Sequence, residues 1–398
     1  MQSRHRLRQL LAITAMNLRT LPGRLGTAAV AVIGIGGVVA VLVAALSITE
    51  GFRAAMSLSG REDVAIVLRG GSSDELSSGL SLEAVRHVMD APSIVQDAEG
   101  PLASPELYVI VDLPKRSTGT KANVPLRGVG PRAPAIRGAF RMVAGRPFSR
   151  GMNEVIAGRG AASQFGGIDV GSVVYFGGTP WTVTGIFEDG GSVSESEIWT
   201  DATVLQGAYK RGTSFQSVRV RLPAPGQTAA LERHLEADPR FSLTVRTEKA
   251  FLESQSRVLI AIVTTIGMLI AIVMGVGAVF AALNTMYAAV ASRTREIATL
   301  RALGFGAAAV VTSVLVEALV LGLLGGILGG ILAYVTFNGA QASTLNFQSF
   351  SQITFAFTVT PAVMALGIVY ALLLGLVGGL LPGLRAARLP VTQGLREL

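Results

Sequence analysis

Few side chains in this sequence have the type and spacing needed for covalent or metal chemistry. The 398 residues include no cysteine, which excludes thiol nucleophiles, disulfides and cysteine-ligated metals. His87 and His234 fall on separate predicted helices, with no further ligand at metal-binding spacing. The sequence also lacks a Gly-x-Ser-x-Gly nucleophile motif and a Gly-x-x-x-x-Gly-Lys-Ser/Thr phosphate loop. We therefore predict no catalytic residue, metal or cofactor, and any ATP must be bound by another subunit.

One charged cluster interrupts a long apolar region and has the pattern of a docking helix. Residues 258–292 carry no formal charge, and the next nine positions hold Arg293, Arg295, Glu296 and Arg301. Helical spacing places on one side Arg293, Ile297, Leu300 and Gly304. Such a helix can insert Ile297, Leu300 and Leu303 into a groove of a partner while its charges set the register. The alternative, arginines that only set membrane topology, explains neither Glu296 nor the apolar stripe.

A single carboxylate, Glu317, falls inside a later apolar segment. At 1.5 Å per residue it would lie about 15 Å along a helix from Ala307, within the bilayer. A carboxylate at that depth is costly and usually faces the interior of a helix bundle. A structural role, in which Glu317 pairs with Asn284 or a backbone group, is favoured over a proton or substrate site because nothing else ionisable lies near it in sequence.

The composition that surrounds these residues is that of a membrane protein. Half of the residues are apolar, the mean hydropathy is +0.52 and only 15% of the residues are charged, whereas soluble proteins carry about 25%. The net charge of +8 comes from short basic segments beside apolar runs, while residues 50–257 hold equal numbers of acids and bases. This distribution follows the positive-inside rule and lacks the massed basic face that nucleic-acid binding requires.

Four apolar segments are long enough to cross a bilayer, which takes about 20 residues. We predict a basic N-terminal helix at 1–24 and spans at 25–49, 258–288, 308–335 and 361–382. The first span is interpreted as an uncleaved anchor, because signal peptides have apolar regions of only about 7–15 residues. The positive-inside rule places in the cytoplasm residues 1–24, 289–307 and the tail at 383–398, and places outside residues 50–257 and a short loop at 336–360. The second span is expected to extend upstream as a helical stalk.

Glycines recur every four residues in the last two predicted spans. They are Gly322, Gly325, Gly326, Gly329 and Gly330 in the third span, and Gly375 and Gly379 in the fourth. Rows of small residues let helix backbones approach closely. Packing within one bundle is favoured over a dimer interface.

Residues 50–257 predict a mixed α+β domain. The runs "SVVYF" and "WTVTGIF" flank "GGTP" as in a β-hairpin, and "LEAVRHVM" and "GQTAALERHLEA" have helical spacing. The run "RGGSSDELSSG" at 69–79 is typical of a flexible surface loop. The predicted fold is four transmembrane α-helices with a large extracytoplasmic α+β domain inserted between helices 1 and 2.

The segment "MYAAVASRTREIATLRALGFGAAAVVTSVLVEALVLGLLGGILG" resembles the membrane domain of the MacB/FtsX-type permeases of ABC transporters, a group with macrolide exporters and lipoprotein-releasing complexes. The usual glycine after Glu-Ile is Ala298 here. The runs "PLRGV" and "NEVIAGRGAASQFGGIDVGSVVYFGGTPWTVTGIF" resemble the periplasmic core domain of that family. The resemblance implies a cytoplasmic coupling helix that contacts an ATPase subunit through Arg293, Thr294, Arg295, Glu296, Ile297, Leu300, Arg301, Leu303 and Gly304.

The resemblance also implies an assembly in the bacterial inner membrane. Two ATPase copies would act on two permease chains, as a homodimer or a heterodimer, and a periplasmic adaptor with an outer-membrane channel could complete an exporter. MacB carries its ATPase fused ahead of the first span, whereas 24 residues stand there in this sequence, so we expect a separate ATPase polypeptide. The expected function is mechanical coupling of ATP hydrolysis to movement of a substrate outside the membrane. The alternatives are an FtsX-like signalling subunit and a membrane-anchored binding domain that has no ATPase.

Overall fold

The computed structural model describes residues 25–346 and 351–390. The predicted N-terminal helix at 1–24 and the end of the predicted tail, from 391 onward, lie outside the described residues. The chain forms two compact units. The core unit comprises Gly51–Ala261 and Gln341–Ala356, and the membrane unit comprises the described residues up to Glu50 together with Ile262–Ala340 and the segment from Phe357 onward.

The helices and strands follow one another along the chain with short connections. In order they are α1 (Leu25–Ser59), β1 (Val64–Arg69), α2 (Leu82–Met89), β2 (Gln96–Asp97), β3 (Gly100–Pro101), β4 (Ala103–Pro114), β5 (Lys121–Val129), α3 (Ala133–Arg137), β6 (Phe140–Gly145), β7 (Glu154–Gly158), α4 (Arg159–Gln164), β8 (Val173–Phe176), β9 (Thr179–Asp189), β10 (Ile198–Asp201), α5 (Ala202–Ala208), β11 (Ser217–Arg221), α6 (Thr228–Glu236), β12 (Leu243–Thr247), α7 (Glu248–Ala291), α8 (Thr294–Ala302), α9 (Ala307–Phe337), β13 (Gln341–Asn346), β14 (Ser351–Ala356) and α10 (Pro361–Arg388). A short 3₁₀ turn, Val193–Ser196, precedes β10.

A mixed ten-stranded sheet organises the described part of the core unit. The strand order is β12-β1-β11-β4-β5-β10-β7-β9-β6, with β8 paired to β9. The pairs β5–β10 and β7–β9 are parallel, and the others are antiparallel. The predicted hairpin is confirmed, because Val174 pairs with Trp181 across a turn at Gly177 and Gly178 with positive φ. The predicted α+β class is therefore confirmed.

Four described helices are long and apolar enough to cross a membrane: α1, α7, α9 and α10. The helix α7 begins at Glu248, ten residues before the predicted span, and runs unbroken for 44 residues. At 1.5 Å per residue it extends about 66 Å, roughly twice the apolar thickness of a bilayer. No proline interrupts it, and the polar residues at its start are good helix formers. The helix α1 also continues past the predicted end at residue 49.

The glycine rows lie at close contacts inside the membrane unit. A Cβ at Gly322 would stand 2.7 Å from the Ala371 carbonyl oxygen on α10, and one at Gly329 would stand 2.3 Å from the Gly36 carbonyl oxygen on α1. Gly326 and Gly330 also face α10, Gly325 faces α1, and Gly375 and Gly379 face α9. The two rows of α9 therefore pack against two different helices of the same chain.

The predicted short loop at 336–360 contains a β-hairpin, β13–β14, that belongs to the core unit. The Thr354 amide donates to Ser196 Oγ at 2.9 Å, and Phe355 packs edge-on against Phe52 at 5.6 Å between ring centroids. This hairpin was not predicted from the sequence, because its strands are short and lie between two predicted spans.

Candidate functional site

The short helix α8 connects two long membrane helices, α7 and α9, and the chain turns sharply at both of its ends. At the start, the first-turn amides donate no hydrogen bond to the side chain of the N-cap residue, Arg293, because a guanidinium has no acceptor atom. At the end, Gly304 takes a left-handed conformation with φ of +93°, which costs a glycine little. The sequence thus builds a short isolated helix whose position depends on contacts made by its side chains.

One face of α8 is buried against other helices of the membrane unit. Ile297 and Ala298 are buried in its middle. Arg293 is also buried, and its Nη1 donates to Glu317 Oε2 on α9 at 3.1 Å. At the other end of α8, Arg301 Nη1 donates to the carbonyl oxygens of Ala387 and, at 3.4 Å, of Leu389, at the C-terminus of α10. A cation is favourable there because a helix C-terminus carries partial negative charge.

The opposite face of α8 is exposed. Arg295, Glu296 and Thr299 are exposed, and Leu303, just after the helix, is 72% exposed. The remaining members of the predicted coupling set, Thr294, Leu300 and Gly304, are respectively half-buried, half-buried and exposed. The structure therefore divides the set between two faces, and Ile297, expected to enter a partner's groove, is covered by its own chain.

The ion pair of Glu317 with Arg293 was not expected from the sequence. The partner considered for Glu317 was Asn284 or a backbone group, because no ionisable residue is close to it along the chain. Arg293 lies 24 positions away and reaches Glu317 because α8 packs against α9. The side chains of both residues are 5% exposed, so each neutralises a charge that would be costly alone.

A second charged cluster lies inside the core unit. Its members are the buried residues Glu75, Glu106, Arg127, Arg137, Glu197, Arg219 and Glu248. Arg127 on β5 makes two bonds of 2.7 Å to Glu197, binds Glu75 at 2.7 and 3.0 Å, and contacts Glu106 at 2.9 Å. Burial alone would raise the pKa of the Glu106 carboxyl, but the neighbouring Arg137, Arg219 and Arg127 outweigh it and lower that pKa. Glu106 is therefore ionised at neutral pH, whereas burial raises the pKa of the Glu248 carboxyl above its ordinary value despite the nearby Arg137 and Arg219. Many charge-assisted bonds hold the cluster together.

The same cluster fixes the start of α7 to the sheet. Glu248, the first residue of α7, accepts from Arg219 Nε on β11 at 3.2 Å and from Arg137 Nη1 on α3 at 3.4 Å. Arg137 also lies over the Trp199 ring at 5.0 Å. These contacts tie the first turn of the long helix to two other elements of the core unit.

The segment at 69–79 supplies one of these charges, so the prediction of a flexible surface loop is wrong at its centre. Ser72, Glu75 and Ser78 are buried, and the Glu75 carboxylate accepts from Arg127, Arg219 and Ser217. Composition alone could not separate a solvated polar loop from one whose carboxylate enters a buried network.

His87 and His234 lie side by side. The rings of His87 on α2 and His234 on α6 are stacked with centroids 5.0 Å apart, and Phe241 stacks on His87 at 5.4 Å. Within the described residues, no group of three or more His, Cys, Asp or Glu side chains could hold a metal ion.

Comparisons with known proteins match both parts of the chain. The family model of the MacB-like periplasmic core domain matches residues 28–238, more than half of the chain, and that of the FtsX-like permease C-terminal region matches residues 259–391. Two curated relatives are each a macrolide export ATP-binding/permease protein MacB. The protein from Bordetella avium is 26% identical over 329 residues, and the protein from Hahella chejuensis is 26% identical over 242 residues.

The chain spans about half or less of the length of these relatives. The first match covers 77% of this chain and 48% of the Bordetella avium protein. The second covers 57% of this chain and 35% of the Hahella chejuensis protein. Among solved structures, the periplasmic region of MacB from Actinobacillus actinomycetemcomitans matches 49% of this chain and 94% of its own, with a TM-score of 0.38 and 13% identity. The extracellular domain of the noncanonic ABC-type transporter YknZ from Gram-positive bacteria matches 46% of this chain and 100% of its own, with a TM-score of 0.34 and 15% identity.

Proposed function

The chain belongs to the family of FtsX-like permeases with a MacB-like periplasmic core domain, and we propose that it is the membrane subunit of an ABC transporter that works by mechanical transmission. In this proposal, an ATPase outside these 398 residues hydrolyses ATP. The resulting movement reaches the core unit through the membrane helices and drives export, or movement outside the membrane, of a substrate.

The observation that carries this proposal is the two-faced environment of α8. Its buried face is fixed to α9 through Arg293 and to the end of α10 through Arg301. Its other face presents Arg295 and Glu296 beside the largely exposed Leu303. An exposed leucine flanked by charges of both signs suits a helix that docks into a groove. We therefore propose that α8 is the coupling helix and that this exposed face contacts the ATPase.

The proposed assembly follows the same reasoning. The sequence lacks a phosphate loop, so the nucleotide must be bound elsewhere, in an ATPase that we propose to be a separate subunit present in two copies with two permease chains. Orientation is proposed from the basic flanks, with both termini and α8 in the cytoplasm and the core unit outside the inner membrane. A periplasmic adaptor and an outer-membrane channel are further proposed partners of an exporter.

Transport is favoured over signalling by the core unit. The MacB-like model matches residues 28–238, and the curated relatives are named for macrolide export. The core unit can also move as one body with the start of α7, because Glu248 is held by Arg137 and Arg219. An FtsX-like subunit that activates an external partner without transport remains the alternative proposal.

The test uses the full chain in nanodiscs with its cognate ABC ATPase. Leu303→Asp and Glu296→Lys should each weaken the complex and its stimulated ATPase activity by about tenfold, because each places an unfavourable charge in a docked interface. Binding would be measured by surface plasmon resonance and activity by phosphate release.

Matched controls carry the same kinds of change at exposed sites of the core unit. Val173→Asp on β8 and Glu83→Lys on α2 should leave binding and stimulation at wild-type values. If the α8 variants bind and stimulate as the wild type does, α8 is not the ATPase contact and the proposal fails.

A further inference from the structure

The side chain of Arg293 is buried but only partly satisfied. Its Nη1 binds Glu317, whereas its Nε and Nη2 are buried without a hydrogen-bond partner among the described residues. Replacing a buried ion pair by a well-packed apolar pair is often neutral or stabilising, so the stability of the bundle alone does not require two charges at these positions.

A small cavity lies beside this ion pair. Its volume is about 20 Å³, and it is lined by Arg293 and Glu296 from the α8 segment and by Ser313 and Glu317 from α9. Apolar side chains of α7, α8 and α9 complete the wall. A cavity of this size holds about one water molecule, so the guanidinium is confined against the Glu317 carboxylate and a shift of α8 reaches α9 through that contact.

The ion pair lies at the point where the chain passes from α7 into α8. The chain leaves α7 at Ala291, and Arg293 is the N-cap residue of α8 without a side-chain cap bond. The far end of α8 is held by Arg301 at α10. The two arginines thus connect one short helix to two different membrane helices, Arg293 to α9 and Arg301 to α10.

We propose that Arg293 and Glu317 form a positioning pair that carries displacement of α8 into α9. The inference rests on the proposed function of α8 as the coupling helix and assigns different roles to its exposed and buried residues. The exposed residues of α8 bind the ATPase, and Arg293 transmits the movement without touching the ATPase. Within the part of the chain that the structure describes, Arg293 contacts Glu317 through one guanidinium nitrogen, Nη1, so a lysine ammonium, a single-point cation, can replace it.

The experiment compares three variants of the full chain, reconstituted in nanodiscs with the cognate ATPase. Arg293→Met should bind the ATPase with wild-type affinity but lose about tenfold of its stimulated activity, the size of a typical coupling effect. Arg293→Lys should retain wild-type coupling. The double variant Arg293→Met/Glu317→Leu should melt at or above the wild-type temperature, because it removes the buried charges, yet should remain uncoupled.

Two results would overturn the proposal. If Arg293→Met weakens ATPase binding as Leu303→Asp does, Arg293 belongs to the docking surface. If the apolar double variant is fully coupled, the ion pair has only a packing role. Hydrogen exchange of the chain alone separates this proposal from the proposed function, because it needs no ATPase. The amides of 294–302 should exchange about tenfold faster in Arg293→Met than in Arg293→Lys if the pair holds α8 in place.

Discussion

The charge network of the core unit allows a quantitative test with a built-in control. In Arg127→Met, three carboxylates lose their shared guanidinium, namely Glu75, Glu106 and Glu197. Removing one partner of a buried ion pair typically costs about 3–5 kcal/mol. The same change at an exposed pair, Arg146 with Glu154, should leave the free energy of unfolding nearly unchanged, because solvent screens exposed ion pairs. The expected difference is thus several kcal/mol for chemically identical substitutions.

Tryptophan fluorescence can measure this difference in the intact chain. The sequence has two tryptophans, and both, Trp181 and Trp199, are fully buried in the core unit. Their emission therefore reports unfolding of the core unit alone. With a guanidinium m-value of about 4 kcal/mol/M, a loss of about 4 kcal/mol lowers the unfolding midpoint by about 1 M. Equal midpoints for Arg127→Met and Arg146→Met would refute the reasoning.

Three further predictions concern packing, pH and topology. Gly322→Val should destabilise the membrane unit by about 1–3 kcal/mol through overpacking, measured as a lower melting temperature in detergent, whereas Gly37→Ala, with open space around the new Cβ, should not. The folded pKa of Glu106 lies below its ordinary value of 4.5. Ionised Glu106 therefore stabilises the fold fully above about pH 4.5, and this stabilisation is lost as the pH falls further. Acid should lower the unfolding midpoint of Glu106→Gln less than that of the wild type. A reporter after Gly212 should read outside and one after Leu303 inside; the same side for both would contradict the proposed topology.

The fold class was predictable because its main patterns are local. Apolar runs longer than a bilayer is thick identify α1, α7, α9 and α10 without tertiary information. Alternating β-rich runs around Gly177 and Gly178 identify the β8–β9 hairpin. The continuation of α7 upstream to Glu248 was also visible, since no helix breaker stands between that residue and the apolar run.

The sheet topology and the charge network were not predictable in this way. Strand β11 pairs with β4, more than a hundred residues earlier in the chain, and no local pattern specifies that pairing. Glu75, Arg127 and Glu248 are likewise distant in sequence and look like ordinary surface charges. They meet because three strands and the start of α7 converge, which is a property of the tertiary fold.

The sequence alone does not show which face of α8 is buried, although two of its charged residues indicate the answer. Helical spacing correctly groups Arg293 with Ile297, but an apolar stripe is selected equally by a partner protein and by the chain's own bundle. Two charged residues distinguish these two interpretations of the stripe. Glu317 needs a cation inside an apolar bundle. Arg293 and Arg301, each four positions from Ile297, are the basic residues on its stripe, and Arg293 pairs with Glu317 in the structure. A basic residue on an apolar stripe, together with a carboxylate in the next apolar span, indicates that the stripe faces inward, which leaves Arg295, Glu296 and Leu303 on the exposed face that we propose contacts the ATPase.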